Sequence, residues 1–253
     1  MIDLHLKYTR DKVPILRNSD IDDIAEAILR DFDPSLLTDP QEVDIEGLVE
    51  CYMNLHTNYE TLSSTGNTLG MMVFETGWIP VYDKERNERY GEPVKANTVV
   101  IDGSLLSADK KHIFRSTFGH EGGHFVFHSA YYLRNASQYS LPLDDAQKGF
   151  VLCCKKDIVG SETGHKRLKT DKDWIEHHAR YFSASALMPR AAMNMLMSDC
   201  KSFSERALVD VVAKTFNVSQ ESAKYRITDL RRAQAASHSS QSSQALRQFE
   251  IFR

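Results

Sequence analysis

Apolar residues recur along this chain with two periods, and the changes of period mark out its elements. Ile21, Ile24, Ala25, Ile28 and Phe32 fall on one side of a helix that Asp20 caps and Asp33-Pro34 ends. A second helix is expected at Ile45–Leu55, with Ile45, Leu48, Val49 and Tyr52 as its stripe and acidic residues in its first turn. The period then shortens. Leu69–Phe74, Trp78–Tyr82 and Thr98–Ile101 read as strands, with turns at Glu75-Thr-Gly77 and across Asp83–Pro93. They predict a small antiparallel sheet of three or four strands.

The helical period returns after Ser107 or Asp109, either of which suits an N-cap. Ile113, Phe114, Phe118 and Phe125 form its stripe, and Gly119, Gly122 and Gly123 interrupt it, each costing about 1 kcal/mol relative to alanine. Glycines there make sense where another backbone or a substrate must come close. A further helix spans Asp173–Leu187, with Ile175, Ala179, Phe182 and Ala186 as its buried stripe and Pro189 as its stop. Ala207–Phe216, Asn217-Val-Ser219 and Gln220–Arg232 read as helix–turn–helix, followed by a stretch rich in serine, glutamine and alanine. The expected architecture is α+β. A main domain occupies residues 15–195, a helical subdomain 200–233, and a flexible tail 234–253.

Composition narrows the class without choosing a function. The 253 residues are 42% hydrophobic and 26% charged, ordinary for a globular protein that buries a core. A formal charge of -4 gives no global attraction to nucleic acid. No apolar run approaches the roughly 20 residues of a membrane span, and the N-terminal stretch lacks the basic-then-apolar pattern of a signal peptide. Cys51, Cys153, Cys154 and Cys200 follow no disulfide spacing, and the adjacent pair is expected to be buried or incidental. The expected compartment is the cytoplasm.

The chemistry concentrates in Phe118-Gly-His-Glu-Gly-Gly-His-Phe-Val-Phe-His128, which contains His-Glu-x-x-His. Helical positions i and i+4 share a face, so His120 and His124 can close on one metal ion. Glu121 lies one residue round, where its carboxylate can reach a water on that metal rather than the metal itself. Zinc suits such a pair with a third ligand and one open position. Position 130 is Ala130, which excludes the metzincin arrangement with its third histidine six residues after His124. Downstream, Glu176 flanks the stripe of its helix above Ala179 and Ser183, whose small side chains would let that helix approach the glycine-bearing face. Glu176 is therefore the candidate third ligand. On its own it also reads as a solvated carboxylate, and His177 and His178 compete with it, although they point to different faces and read as surface histidines.

Here the sequence resembles the ImmA/IrrE family of zinc metallopeptidases. Members carry a segment like residues 118–128, and farther on Glu-x-x-Ala-x-x-Phe-(Ala/Ser) ending in Leu-(Leu/Met)-Met-Pro. Glu176, Ala179, Phe182, Ser183 and Leu187-Met188-Pro189 match the second pattern, and Asp44-Ile45-Glu46, Leu69-Gly70 and Val100-Ile101-Asp102 also sit where the family pattern places them. The likeness covers roughly residues 15 to 190. It implies a zincin-like domain whose gluzincin-like zinc site is formed by His120, His124 and Glu176, with Glu121 as base. It also implies a protein substrate, a helix-turn-helix repressor of the phage type; cleavage at a single site is expected because folded domains rarely offer an extended segment.

Lys224, Arg226, Arg231 and Arg232 would suit a DNA reader in the C-terminal helices, but Glu221 and Asp229 dilute that face. The expectation is a helical subdomain that holds the protein partner, without DNA or membrane binding. The alternative is a DNA-binding regulator, or a repressor-binding scaffold, with a structural metal. An unpaired strand, Trp78–Tyr82 or Leu69–Phe74, is expected to hold extended substrate by β-augmentation. Tyr131, Tyr132, His177 and His178 are candidates for stabilising an oxyanion.

Overall fold

The computed structural model describes residues 6–138, 149–158 and 168–250. Helix α1 (Asn18–Phe32) is followed by the short α2 (Ile45–Gly47), which widens into a π-helical turn over Leu48–Tyr52. Strands β1 (His56–Glu60), β2 (Thr68–Val73), β3 (Gly77–Asp83), β4 (Glu88–Val94) and β5 (Thr98–Asp102) come next. Two 3-10 turns lead into α3 (Lys111–Gln138), and β6 (Phe150–Cys154) with α4 (Lys155–Ile158) follows. The chain continues through α5 (Asp171–Leu187), α6 (Arg190–Asp199), α7 (Glu205–Phe216) and α8 (Gln220–Glu250). It is α+β, as its periods predict.

The sheet is mixed, not purely antiparallel. Its order is β1-β5-β2-β6, with β1 parallel to β5 and β2 antiparallel to both neighbours. Three of the six strands escape a reading by alternation. β1 is polar and half-exposed, the β4 sequence Glu-Arg-Tyr-Gly-Glu-Pro-Val resembles a loop, and β6 has its partner about 80 residues upstream. The stretch read as a turn at Asp83–Pro93 is largely β4, which forms a separate hairpin with β3.

Both faces of β2 and β5 are covered, which is why they carry nearly unbroken apolar runs. Gly70 of β2 faces α3, and Met72, Val99 and Ile101 join the main core with Phe118 and Phe182. Met71, Val73 and Val100 turn to the other face, against Ile79 and Val81 of the hairpin. Neither strand expected to hold substrate is therefore an unpaired edge beside α3. β2 is interior to the sheet, and β3 lies across the sheet from the helix.

Caps follow local sequence. Asp20 is the third residue of α1 rather than its cap, and its carboxylate accepts from the Arg17 amide at 2.9 Å. Thr170 and Asp173 form a reciprocal capping box at the start of α5. Asn217 ends α7 in the left-handed region, φ 49°, where asparagine is tolerated. Ser219 caps α8 by accepting from the Ser222 amide at 3.1 Å. The backbone of the segment expected as a tail carries on as helix to Glu250. No helix among the described residues is long and apolar enough to cross a membrane.

Candidate metal centre

The site begins with two helices that cross closely at two glycines. A Cβ built on Gly123 would lie 2.9 Å from Ala179 Cα and 3.0 Å from Ala179 O. One built on Gly119 would meet Ser183 Oγ at 2.7 Å and Ser183 Cα at 3.2 Å. Gly119 and Gly123 are one turn apart on α3, and Ala179 and Ser183 one turn apart on α5, so two small-residue rows lie against each other. Ser183 Oγ also donates to Ser116 O at 2.9 Å. Glu176 sits one turn before Ala179 on the same face, and the close crossing carries its carboxylate to the histidines.

His120, His124 and Glu176 each present one ligand atom, all within 4.8 Å of one another. The two histidine Nε2 atoms are 2.9 Å apart. Glu176 Oε2 lies 3.3 Å from His120 Nε2 and 3.8 Å from His124 Nε2. Around a tetrahedral ion with bonds of about 2.0–2.1 Å, ligand atoms stand about 3.3 Å apart. The triangle matches that size. Both imidazoles are fully buried, and Glu176 Oε2 and His120 Nδ1 find no hydrogen-bond partner among the described residues. Burying a carboxylate oxygen against two electron-rich nitrogens is costly unless a cation shares the space. The residues present fit a metal ion.

Glu121 stays outside that triangle. It is fully buried beneath β2, where a Cβ on Gly70 would lie 2.7 Å from its Oε1 and 2.6 Å from Thr117 Cγ2. Only a glycine lets the strand lie this close over the carboxylate.

Two further histidines belong to the cluster. His128, one turn beyond His124, places its Nδ1 3.1 Å from His124 Nδ1. His178 places its Nδ1 3.5 Å from His128 Nε2, the two rings being within 9° of parallel. The reading of His178 as a surface histidine is thus wrong, since it is 1% exposed, between Phe127 and Trp174. Its neighbour His177 instead faces Asn18, with 2.8 Å between Nε2 and Oδ1. The spacing of His128 from His124 is visible in the sequence, whereas nothing local signals that His178 meets it. Burial, and then the neighbouring imidazoles, hold His124 and His128 well below the usual histidine range. Burial lowers His178 to about 4, with a smaller contribution from His177. These rings are neutral at ordinary pH, the state in which imidazole can bind a metal.

Other singled-out residues are not part of the group of His120, His124 and Glu176. Cys153 is buried in β6, Cys154 is half-buried beside it, and Cys51 is an exposed free thiol. Tyr132 stacks on Phe74, with centroids 4.8 Å apart and planes 10° from parallel. Arg226 turns inward and is 1% exposed. It donates to Asp22 Oδ1 at 2.6 Å, Met188 O at 3.2 Å and Tyr181 OH at 3.3 Å. Tyr181 OH in turn donates to Asp229 at 2.5 Å, and Ser185 donates to Asp22 at 2.7 Å. This buried network ties α8 to α1 and α5.

Comparison with known proteins finds no matching family model and no matching curated protein.

Proposed function

We propose that this chain is a zinc-dependent endopeptidase of the ImmA/IrrE type, with a zincin-like domain at residues 15–195. The observation that carries the reading is the convergence of His120, His124 and Glu176, three metal-ligating atoms from two helices, beside a buried glutamate in His-Glu-x-x-His spacing. Two imidazoles and one carboxylate are a zinc-suited donor set, leaving one position open for catalysis. A zinc ion held there would make a water acidic near neutral pH and polarise a peptide carbonyl. Glu121 is the base: it takes the proton of the attacking water and passes it to the leaving nitrogen. Its burial beneath Gly70 fixes its carboxylate for that transfer.

The repressor substrate follows from the sequence resemblance. The C-terminal helices serve this reading as part of the peptidase body and as a platform for the partner. Of the four basic residues that would equip them to read DNA, Arg226 is committed to Asp22 in the interior. The deciding experiment is Glu121→Gln, tested with the wild type on a helix-turn-helix repressor encoded beside the gene. The variant keeps zinc and loses at least about 10²–10⁴-fold in cleavage rate. A variant that cleaves as fast as the wild type defeats the mechanism. A wild type that digests unfolded proteins indiscriminately defeats the substrate.

A further inference from the structure

Among the described residues, His120 Nδ1 has no hydrogen-bond partner, whereas His124 Nδ1 faces His128 Nδ1 at 3.1 Å. Metal-bound imidazoles ordinarily donate their outer N–H to a carboxylate, a carbonyl or water, which orients the ring and sets its tautomer. Here the outer nitrogen meets another histidine, and that histidine meets a third. We propose that His128 is the positioning residue for the ligand His124, and His178 for His128, through one directed relay of imidazole N–H donors. The inference rests on the metal reading of His120, His124 and Glu176.

The direction follows from valence. If His124 gives the Nε2 lone pair to an ion, its proton must sit on Nδ1. The facing Nδ1 of His128 then has to accept, which puts the proton of His128 on Nε2. That atom lies 3.5 Å from Nδ1 of His178, which accepts in turn and keeps its own proton on Nε2. The geometry suits this series. The His124 and His128 centroids are 5.2 Å apart and those of His128 and His178 are 5.7 Å apart, so the rings meet edge to edge through their nitrogens. All three side chains are at most 1% exposed, so bulk water does not compete for these donors. A neutral imidazole also fixes the ligand ring without placing an anion beside the site, unlike a carboxylate in the same place.

The test measures zinc affinity by chelator competition and the visible spectrum of the cobalt-substituted protein. His128→Leu weakens metal binding on the order of 10- to 100-fold and perturbs the cobalt spectrum. His128→Gln, which retains an acceptor, recovers most of both. His178→Leu loses less, and the double variant His128→Leu/His178→Leu binds no more weakly than His128→Leu alone, because His178 acts through His128. Wild-type affinity and spectrum in His128→Leu overturn the proposal, as does a full additional loss in the double variant. Nitrogen-15 NMR of the zinc-loaded wild type needs no substitution. It should find the protons on Nδ1 of His124 and Nε2 of both His128 and His178. A His128 proton on Nδ1 refutes the relay. A wild type that takes up no zinc defeats the metal reading as well, whereas the other contrary results defeat the relay alone.

Discussion

Replacing Gly123 by alanine tests the helix crossing that brings Glu176 to the histidines. The added Cβ would sit 2.9 Å from Ala179 Cα and 3.0 Å from Ala179 O, both backbone atoms that no rotamer change can move. Carbon–carbon contacts relax at about 3.5–4.0 Å, so α3 and α5 must part by roughly 0.6–1 Å. Overpacking of this kind costs about 1–3 kcal/mol, and the gain in helix propensity returns about 1 kcal/mol. The metal-free protein therefore loses only about 0–2 kcal/mol. Metal binding suffers more. Ligand distances tolerate about ±0.2 Å, so moving Glu176 by several times that amount weakens affinity on the order of 10- to 100-fold. Gly122→Ala is the control. Its Cβ meets only side-chain atoms, Val49 Cγ2 at 3.4 Å and Met53 Sδ at 3.6 Å, so it should be neutral or stabilising by up to about 1 kcal/mol. Chelator competition reads the affinity, and thermal melting with chelator present reads the metal-free fold. If Gly123→Ala binds zinc within twofold of wild type, the crossing is not what positions the third ligand.

Purified protein should hold about one zinc per chain, and His120→Ala, His124→Ala and Glu176→Ala should each strip it, while His177→Ala should not; elemental analysis decides this. Gly70→Ala pushes a Cβ to 2.7 Å from Glu121 Oε1, so peptide hydrolysis should fall at least about tenfold with metal content unchanged. An unaltered rate would show that the strand does not hold the base. Arg226→Met leaves buried Asp22 without its cation and should cost about 3–5 kcal/mol in urea unfolding, part of which Asp22→Asn in the same chain restores. Equal stability of the Arg226→Met variant and the wild type would mean that the network does not anchor α8.

The histidine pair of α3 could be read from residues no more than four positions apart, because a helix brings i and i+4 together whatever surrounds it. His120, Glu121 and His124 needed nothing else. Glu176 was legible only in part: the small residues Gly119/Gly123 and Ala179/Ser183 suggest two helices able to touch, but choosing Glu176 over a solvated carboxylate also needed the family resemblance. The amphipathic stripes of α1, α5 and α7 follow the same rule.

Lateral order in the sheet has no such local record. Whether β2 is an edge or lies between β5 and β6 depends on partners from residues 98–102 and 150–154, and alternation within a strand says only which faces are buried. For the same reason the polar β1 went unassigned and β4 passed for a turn, since backbone pairing can hold a strand whose side chains remain in water. The burial of His178 and the inward turn of Arg226 are likewise tertiary outcomes. Each side chain is polar and sits on a helix, where sequence favours an outward direction. What reverses it is a partner about 50 residues away for His178, at His128, and about 200 residues away for Arg226, at Asp22. Burying such groups is tolerated only when these distant partners satisfy them, so only the folded chain could decide their place.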